Sequence, residues 1–244
     1  MTASDMLVPR ILPSGDAAVT VEFGRRLDEA VNRTVLAFDR AVAAAGVTGI
    51  VETVPTYRSL LVHYDPVAAS FDSLRAALLA LAAEPLAPVV TTRRWRVPVV
   101  YGGEFGIDLD DVARARGLSP DEVVTRHMAG DYFVAMVGFT PGFCYLSGLD
   151  PSLATSRRAE PRAYTPPGSI HIGGVQAAIQ CLAGPSGWHL LGRTPVRTFH
   201  PHRDPVFLIA PGDAVTFYSI NAEQFAELES AAERGKPVAE LVEP

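Results

Sequence analysis

Apolar side chains in the first hundred residues follow two alternating rhythms. Val31, Val35, Phe38 and Val42 recur at three- and four-residue steps, which predicts a helix over 27–45 with one apolar face, ended by Gly46. Residues 71–83 repeat that rhythm as a second amphipathic helix. Around them, 18–23, 50–54 and 60–64 read as short strands. The first follows a Gly15-Asp16 turn, and the other two flank Pro55-Thr56-Tyr57. Residues 95–101 return to a strand pattern that either closes this unit or opens the next. The order βαββαβ is that of a ferredoxin-like split unit.

A stretch rich in Ala, Pro and Thr over 83–92 reads as the linker, so the expected domains are 1–90 and 91–244. A short helix is predicted over 108–116. Next, Ser119-Pro120-Asp121-Glu122 forms a complete start signal, with Ser119 as N-cap, Pro120 at the first helical position and Glu122 closing a capping box. That helix runs to about Met128 and carries His127 near its C-terminal end. From Tyr132 to Ser219 only short extended runs remain between Gly/Pro turns, at 132–137, 169–172, 177–181, 189–191, 206–209 and 214–218. Many short strands with such turns suggest a barrel or a sandwich. Residues 222–234 form a closing helix. The fold class is therefore α+β, helical first and strand-rich after the linker.

Three loop-like stretches stand out in the second half: 137–146, 161–176 and 184–195. In the first, Gly138, Gly142 and Pro141 shape the backbone while Phe139, Phe143 and Tyr145 share one parity of an extended segment. Three stretches of this kind in one domain suggest a pocket built from loops.

Composition narrows the chemistry. The chain has 244 residues, 48% of them hydrophobic and 20% charged, with a net charge of −6. This is a globular composition without the basic footprint that nucleic acid requires. No apolar run has membrane-spanning length, and the N-terminus lacks a secretion pattern, so the expected location is cytoplasmic. Cys144 and Cys181 are too few for a disulfide framework. Among the 21 basic residues Lys236 is the one lysine, and Pro237 follows it. A P-loop needs Gly-Lys-Ser/Thr, so the chain carries none; a lysine Schiff base in this polar tail is equally implausible.

Taken in order, Gly15-Asp16, the 54–60 run Val-Pro-Thr-Tyr-Arg-Ser-Leu, Tyr64-Asp65-Pro66 and the 97–103 run Val-Pro-Val-Val-Tyr-Gly-Gly form a pattern that continues through His127 ahead of Tyr132. The three loop stretches and Ala210-Pro211-Gly212-Asp213 complete it. In this order and spacing the chain resembles the KipI/PxpB family, known as the B subunit of 5-oxoprolinase or as allophanate hydrolase subunit 1, from about Leu12 to Tyr218. The resemblance implies a cyclophilin-like β-barrel after the ferredoxin-like unit. It implies one component of an ATP-dependent amidohydrolase opening 5-oxoproline to glutamate; because the sequence holds no P-loop and no complete nucleophile–base pair, the chain is expected to be inactive alone. The implied partners are a homologous C subunit, forming a heteromer with this chain, and a LamB/YcsF-type A subunit. The implied substrate is small and acidic, and ATP with Mg would act at the level of the complex. An alternative of another class is a KipI-like inhibitor of a sensor histidine kinase. The allophanate hydrolase label fits poorly, because that chemistry uses a Ser-Ser-Lys constellation and this chain has one lysine, in its tail.

Each candidate residue has two readings. His127 is either a helix C-terminal cap favoured by the dipole or a proton donor or acceptor at the barrel mouth, the catalytic candidate. Arg162 and Arg193 are surface arginines or carboxylate clamps. Gly168-Ser169 is a turn into a strand or an anion-binding backbone. Gln176 faces solvent or reads a substrate amide; Trp188 is a core or rim residue. With Phe139, Pro141, Phe143 and Tyr145, the residues Arg162, Gly168, Ser169, Gln176 and Arg193 make up the expected substrate-binding set. Cys144 lacks an activating neighbour in sequence and stands where the family usually has proline. Gln180-Cys181 and Ala177-Ala178 replace the family's Tyr-Pro and Thr-Gly pairs. His200-Pro201-His202 with Asp204 has a possible metal-ligand spacing, but its charged, Pro-rich setting with Arg203 reads better as an exposed loop, and no metal is expected.

Overall fold

The computed structural model describes residues 8–91 and 93–242. The chain divides between Val90 and Thr91 into two compact units. The first contains β1 (Arg10–Pro13), β2 (Ala18–Glu22), α1 (Glu29–Ala45), β3 (Ile50–Pro55), β4 (Ser59–Tyr64) and α2 (Phe71–Ala83). Its four strands form one antiparallel sheet in the order β1-β2-β4-β3. Asp28 starts α1 by accepting the Ala30 and Val31 N–H groups, and Gly46 ends it at φ 56°. Val35, Phe38 and Val42 of α1 and Leu74 and Leu78 of α2 pack onto Val19, Val21, Leu60 and Val62 of the sheet, so the apolar rhythm in the sequence marks the buried face.

The outer strand of this sheet is Arg10–Pro13, ahead of the first predicted strand. The strand β5 (Arg94–Tyr101) opens the second unit instead of closing the first. The second unit continues with α3 (Leu109–Arg116), α4 (Pro120–Met128), β6 (Tyr132–Val137), β7 (Cys144–Ser147), β8 (Arg162–Thr165), β9 (Ser169–Gly173), β10 (Gln176–Ile179), β11 (Gly184–Ser186), β12 (His189–Arg193), β13 (Ala214–Ser219), α5 (Ala222–Glu233) and β14 (Glu240–Val242). Strands β12-β9-β10-β7-β6-β13-β5 run side by side, and pairing of β12 with β5 closes them into a barrel of seven strands. β13 and β5 are parallel; β14 adds to the outside of β5, and β8 and β11 form a separate antiparallel pair. The barrel interior is filled by Val97, Val99, Val134, Cys144, Leu146, Ile170, Ile172, Ala177, Ile179, Leu191 and Val215.

The 206–209 run is a loop, not the predicted strand. Its backbone pairing is limited to one antiparallel bridge between Phe207 and Phe199, with His200 N–H donating to the Val206 carbonyl and Leu208 N–H to the Thr198 carbonyl, and the Arg203 guanidinium adds hydrogen bonds to the carbonyls of Arg197, Thr198, Pro205 and Val206. The Ser119–Glu122 capping box is present at the start of α4. The Ala210–Asp213 motif is structural. Asp213 accepts from the Arg93 fork (2.9 and 2.6 Å), the Trp95 indole (3.0 Å) and the Ala210 N–H (2.9 Å), tying β5 to the turn before β13.

Candidate functional site

Strand parity divides the wall made by β7, β10 and β9 into two faces. Cys144, Leu146, Ile170, Ile172, Ala177 and Ile179 point into the barrel core. Tyr145, Ala178 and His171 alternate with them and stand side by side in register on the other face. Phe143, Ala178 and Trp188 form a second small cluster there, with Tyr145 packed against it. The rings make a continuous chain: Phe139–Phe143 centroids 5.8 Å apart, Phe143–Tyr145 4.6 Å and Tyr145–Trp188 5.9 Å. Gly173 gives Trp188 its place, because a Cβ there would lie 2.5 Å from the indole. The Arg157 guanidinium covers the outer side of that indole at 5.3 Å.

Phe139 is 70% exposed and holds φ 71°, the left-handed region in which a non-glycine residue is strained. The turn is held by Gly138 N–H donating to the Phe143 carbonyl and Phe143 N–H donating to the Thr140 carbonyl. We expect Phe139→Gly to leave the domain as stable or up to about 1 kcal/mol more stable, despite the lost ring, since glycine removes the penalty at this angle. A urea unfolding midpoint clearly below that of the parent chain would show that the exposed ring supports the fold.

Beside the aromatic layer lies Asp108, 1% exposed. The Arg162 fork donates to both of its oxygens at 2.8 and 2.6 Å, Arg158 donates at 3.2 Å and the Leu190 N–H at 2.8 Å. Burial pushes the Asp108 carboxyl up, but the Arg162 hydrogen bonds, the Leu190 N–H and the two positive charges outweigh it and hold it below the usual carboxylate range. Arg162 is therefore a strap on Asp108, and its bidentate fork is already filled. The sequence places Asp108 at a helix start; in the structure it makes no side-chain cap bond and serves this clasp.

Other expected site residues also have structural partners. Arg193 donates to the Pro167 carbonyl (3.2 Å) and to Glu229 (3.4 Å), and it packs over Phe225 and Phe105. Gly168 sits at φ 77° where a Cβ would lie 2.0 Å from the Thr194 carbonyl oxygen, and its N–H donates to the Gln180 carbonyl, so this turn is not an open anion cradle. Ser169 is fully buried and donates to the Pro166 carbonyl at 2.7 Å. Gln176 is half-buried at the start of β10, and Pro141 is exposed at the tip of the Phe139 loop.

His127 is neither at the barrel mouth nor capping its helix, whose C-cap is Ala129. It is fully buried among Tyr101, Tyr132 and Phe217, with Nδ1 2.9 Å from the Tyr101 hydroxyl. Burial drives its pKa down to about 3, so the ring is neutral and sealed. Cys144 is buried with its thiol pushed far up by desolvation, which removes it as a nucleophile. His200 Nε2 lies 3.3 Å from the Glu233 carbonyl, and no cluster of three or more His, Cys, Asp or Glu suited to a metal occurs among the described residues. A cleft of about 390 Å3 in the first unit is lined by Arg10, Glu22, Phe23, Arg25, Arg26 and Val31 among others; no sequence motif marks it.

A mixed α/β chain with a closed seven-strand barrel is the fold of carboxyltransferase-domain proteins. Residues 9–209 match the family model "Carboxyltransferase domain, subdomain C and D". The B subunit of 5-oxoprolinase from Bacillus subtilis is 36% identical over 222 residues, covering 86% of this chain and 92% of that protein. The crystal structure of TTHA0988 superposes with a TM-score of 0.75 at 36% identity over 84% of this chain, which spans 40% of that longer chain. Kluyveromyces lactis urea carboxylase, 22% identical, shares the fold with a TM-score of 0.80 over 97% of this chain and 24% of its own. The chain belongs to the carboxyltransferase-domain C/D family and, within it, to the KipI/PxpB family.

Proposed function

We propose that this chain is the B subunit of a 5-oxoprolinase-type amidohydrolase, inactive alone, whose assembled complex opens 5-oxoproline to glutamate with hydrolysis of ATP. The observation that carries this reading is the 36% identity over 92% of the Bacillus subtilis relative, itself a 5-oxoprolinase B subunit. The chemistry of the chain agrees with a non-autonomous role. Its lysine lies in the C-terminal tail, Cys144 and Cys181 are buried, and His127 is sealed. ATP with its Mg is held at the level of the complex, with a homologous C subunit and a LamB/YcsF-type A subunit as partners and the cytoplasm as the compartment. No helix among the described residues is long and apolar enough to cross a membrane. On this reading Phe139, Pro141, Phe143, Tyr145 and Gln176 face the substrate, while Arg162, Gly168, Ser169 and Arg193 hold the wall that carries them.

The test is co-expression with the two partner proteins. The chain should co-elute with the C homologue on size exclusion, the full set should release glutamate and ADP from 5-oxoproline and ATP, and the lone chain should turn over neither substrate. Turnover by the lone chain, or selective capture of a histidine-kinase dimerisation domain without assembly, would overturn the reading.

A further inference from the structure

Arg25 and Arg26 stand in the connection between β2 and α1, and both line the cleft of about 390 Å3 in the first unit. That volume lies within the range of small-molecule pockets. The connection runs from Phe23 to Asp28, the N-cap of α1. Phe23 is 5% exposed and is held edge-on against Phe38, with ring centroids 5.2 Å apart. Gly24 lets the connection close on the helix, because a Cβ there would lie 3.0 Å from a Val31 methyl group. Phe23 and Val31 therefore give the cleft an apolar wall fixed by the core, and Arg10, Arg25 and Arg26 give it a charged one.

The charges around the cleft do not balance. Glu22 takes Arg10 at 3.3 Å and Arg58 at 3.2 Å. Asp28 accepts the N–H groups of Ala30 (2.8 Å) and Val31 (3.2 Å) with one oxygen. Both carboxylates of the lining are thus committed. Arg25 and Arg26 are exposed and make no hydrogen bond or ion pair among the described residues. Counting Arg58, four guanidiniums face two carboxylates, a surplus of two positive charges on a chain whose net charge is −6. A phosphate monoester carries about −1.5 to −2 at neutral pH and matches that surplus, whereas a single carboxylate cancels half of it. Its three oxygens also suit two guanidinium forks.

We propose that this cleft binds a small organic phosphate. Arg25 and Arg26 take the phosphate, and the Phe23–Val31 wall takes an apolar or aromatic body such as that of a nucleoside monophosphate. The site goes beyond the oxoprolinase reading and does not depend on it, since its residues belong to the first unit and none of them is in the substrate-binding set on the barrel.

The test is isothermal titration calorimetry of the full chain with AMP, inorganic phosphate and adenosine. AMP should bind. Inorganic phosphate, which lacks the body, and adenosine, which lacks the charge, should each bind at least about tenfold more weakly. Arg25→Gln combined with Arg26→Gln should weaken AMP binding at least about tenfold, the scale of losing a charge-assisted hydrogen bond. Both side chains are exposed, so the variant should keep the parent's thermal unfolding midpoint. Arg75→Gln, at an exposed position of α2 outside the cleft lining, controls for net charge and should leave AMP binding unchanged. Adenosine binding as tightly as AMP, or equal AMP binding by the parent chain and the double variant, would overturn the site. An equal loss in Arg75→Gln would reduce it to bulk electrostatics and overturn it as well. Inorganic phosphate matching AMP would overturn the role of the apolar wall, and failure of both AMP and inorganic phosphate to bind would overturn the proposal outright.

Discussion

Asp108→Ala should destabilise the barrel unit by about 3 kcal/mol, the lower end for breaking a buried charged cluster by removing one partner. The side chain is 2% exposed and takes four hydrogen bonds, from Arg162 twice, Arg158 and the Leu190 N–H. Alanine leaves two guanidiniums and a backbone donor without their acceptor. Arg158 and Arg162 are 30% and 22% exposed, so water rehydrates part of the loss and keeps it from the upper end of the range. Asp108→Asn retains an acceptor for the Leu190 N–H and should lose about half as much. Since the folded-state carboxyl is held below its usual range, this stabilisation is present above the unfolded pKa and disappears as pH falls through the folded one. Urea unfolding of the two variants at neutral pH measures the effect. A change in Asp108→Ala within experimental error would mean that the clasp contributes no net stability, and Arg162 would return as a free substrate clamp.

The same residue shows how far the sequence can be read. Local signals are legible: the apolar stripe of α1, the capping box at Ser119 and Glu122, and the Gly/Pro spacing that marks a strand-rich second half. These depend on neighbours within a few residues. Strand β5 cannot be assigned to one unit from sequence, because membership in a sheet is decided by pairing with β13, more than a hundred positions away. Phe139, Phe143 and Tyr145 are legible as a layer through their shared parity. Arg162 is not legible as a strap, because its partner Asp108 lies 54 positions earlier. His171 carries one faint signal: it is the polar residue between Ile170 and Ile172, hence on the face opposite the core. His127 stands in the last turn of an amphipathic helix, where the dipole argument favours a charged ring; the packing of Tyr101, Tyr132 and Phe217 around it makes it neutral instead.

That neutrality predicts an acid-labile barrel. An unfolded histidine titrates near pH 6.5; buried His127 titrates at about 3 and buried His171 at about 4, in both cases with desolvation as the main cause. Both folded values are lowered, so the unfolded chain binds protons first. The native state is fully favoured above pH 6.5 and loses stability as pH falls below it, through the window down to about 3 for His127 and about 4 for His171. One pKa unit corresponds to about 1.4 kcal/mol, so each ring should remove about 2 kcal/mol between pH 7 and pH 5. The carboxylates held low, Asp108 among them, add their loss only at more acid pH. The discriminating comparison is His127→Gln against the parent chain. Glutamine offers the Tyr101 hydroxyl a partner but does not titrate. The variant should be less stable at pH 7, since it fills the pocket between Tyr101, Tyr132 and Phe217 less well. The gap should narrow by about 2 kcal/mol at pH 5, because the parent alone bears the cost of protonating this ring. A gap that stays constant between the two pH values would mean that His127 is charged or solvated in the native barrel, and the proton-transfer role expected of it would again be open.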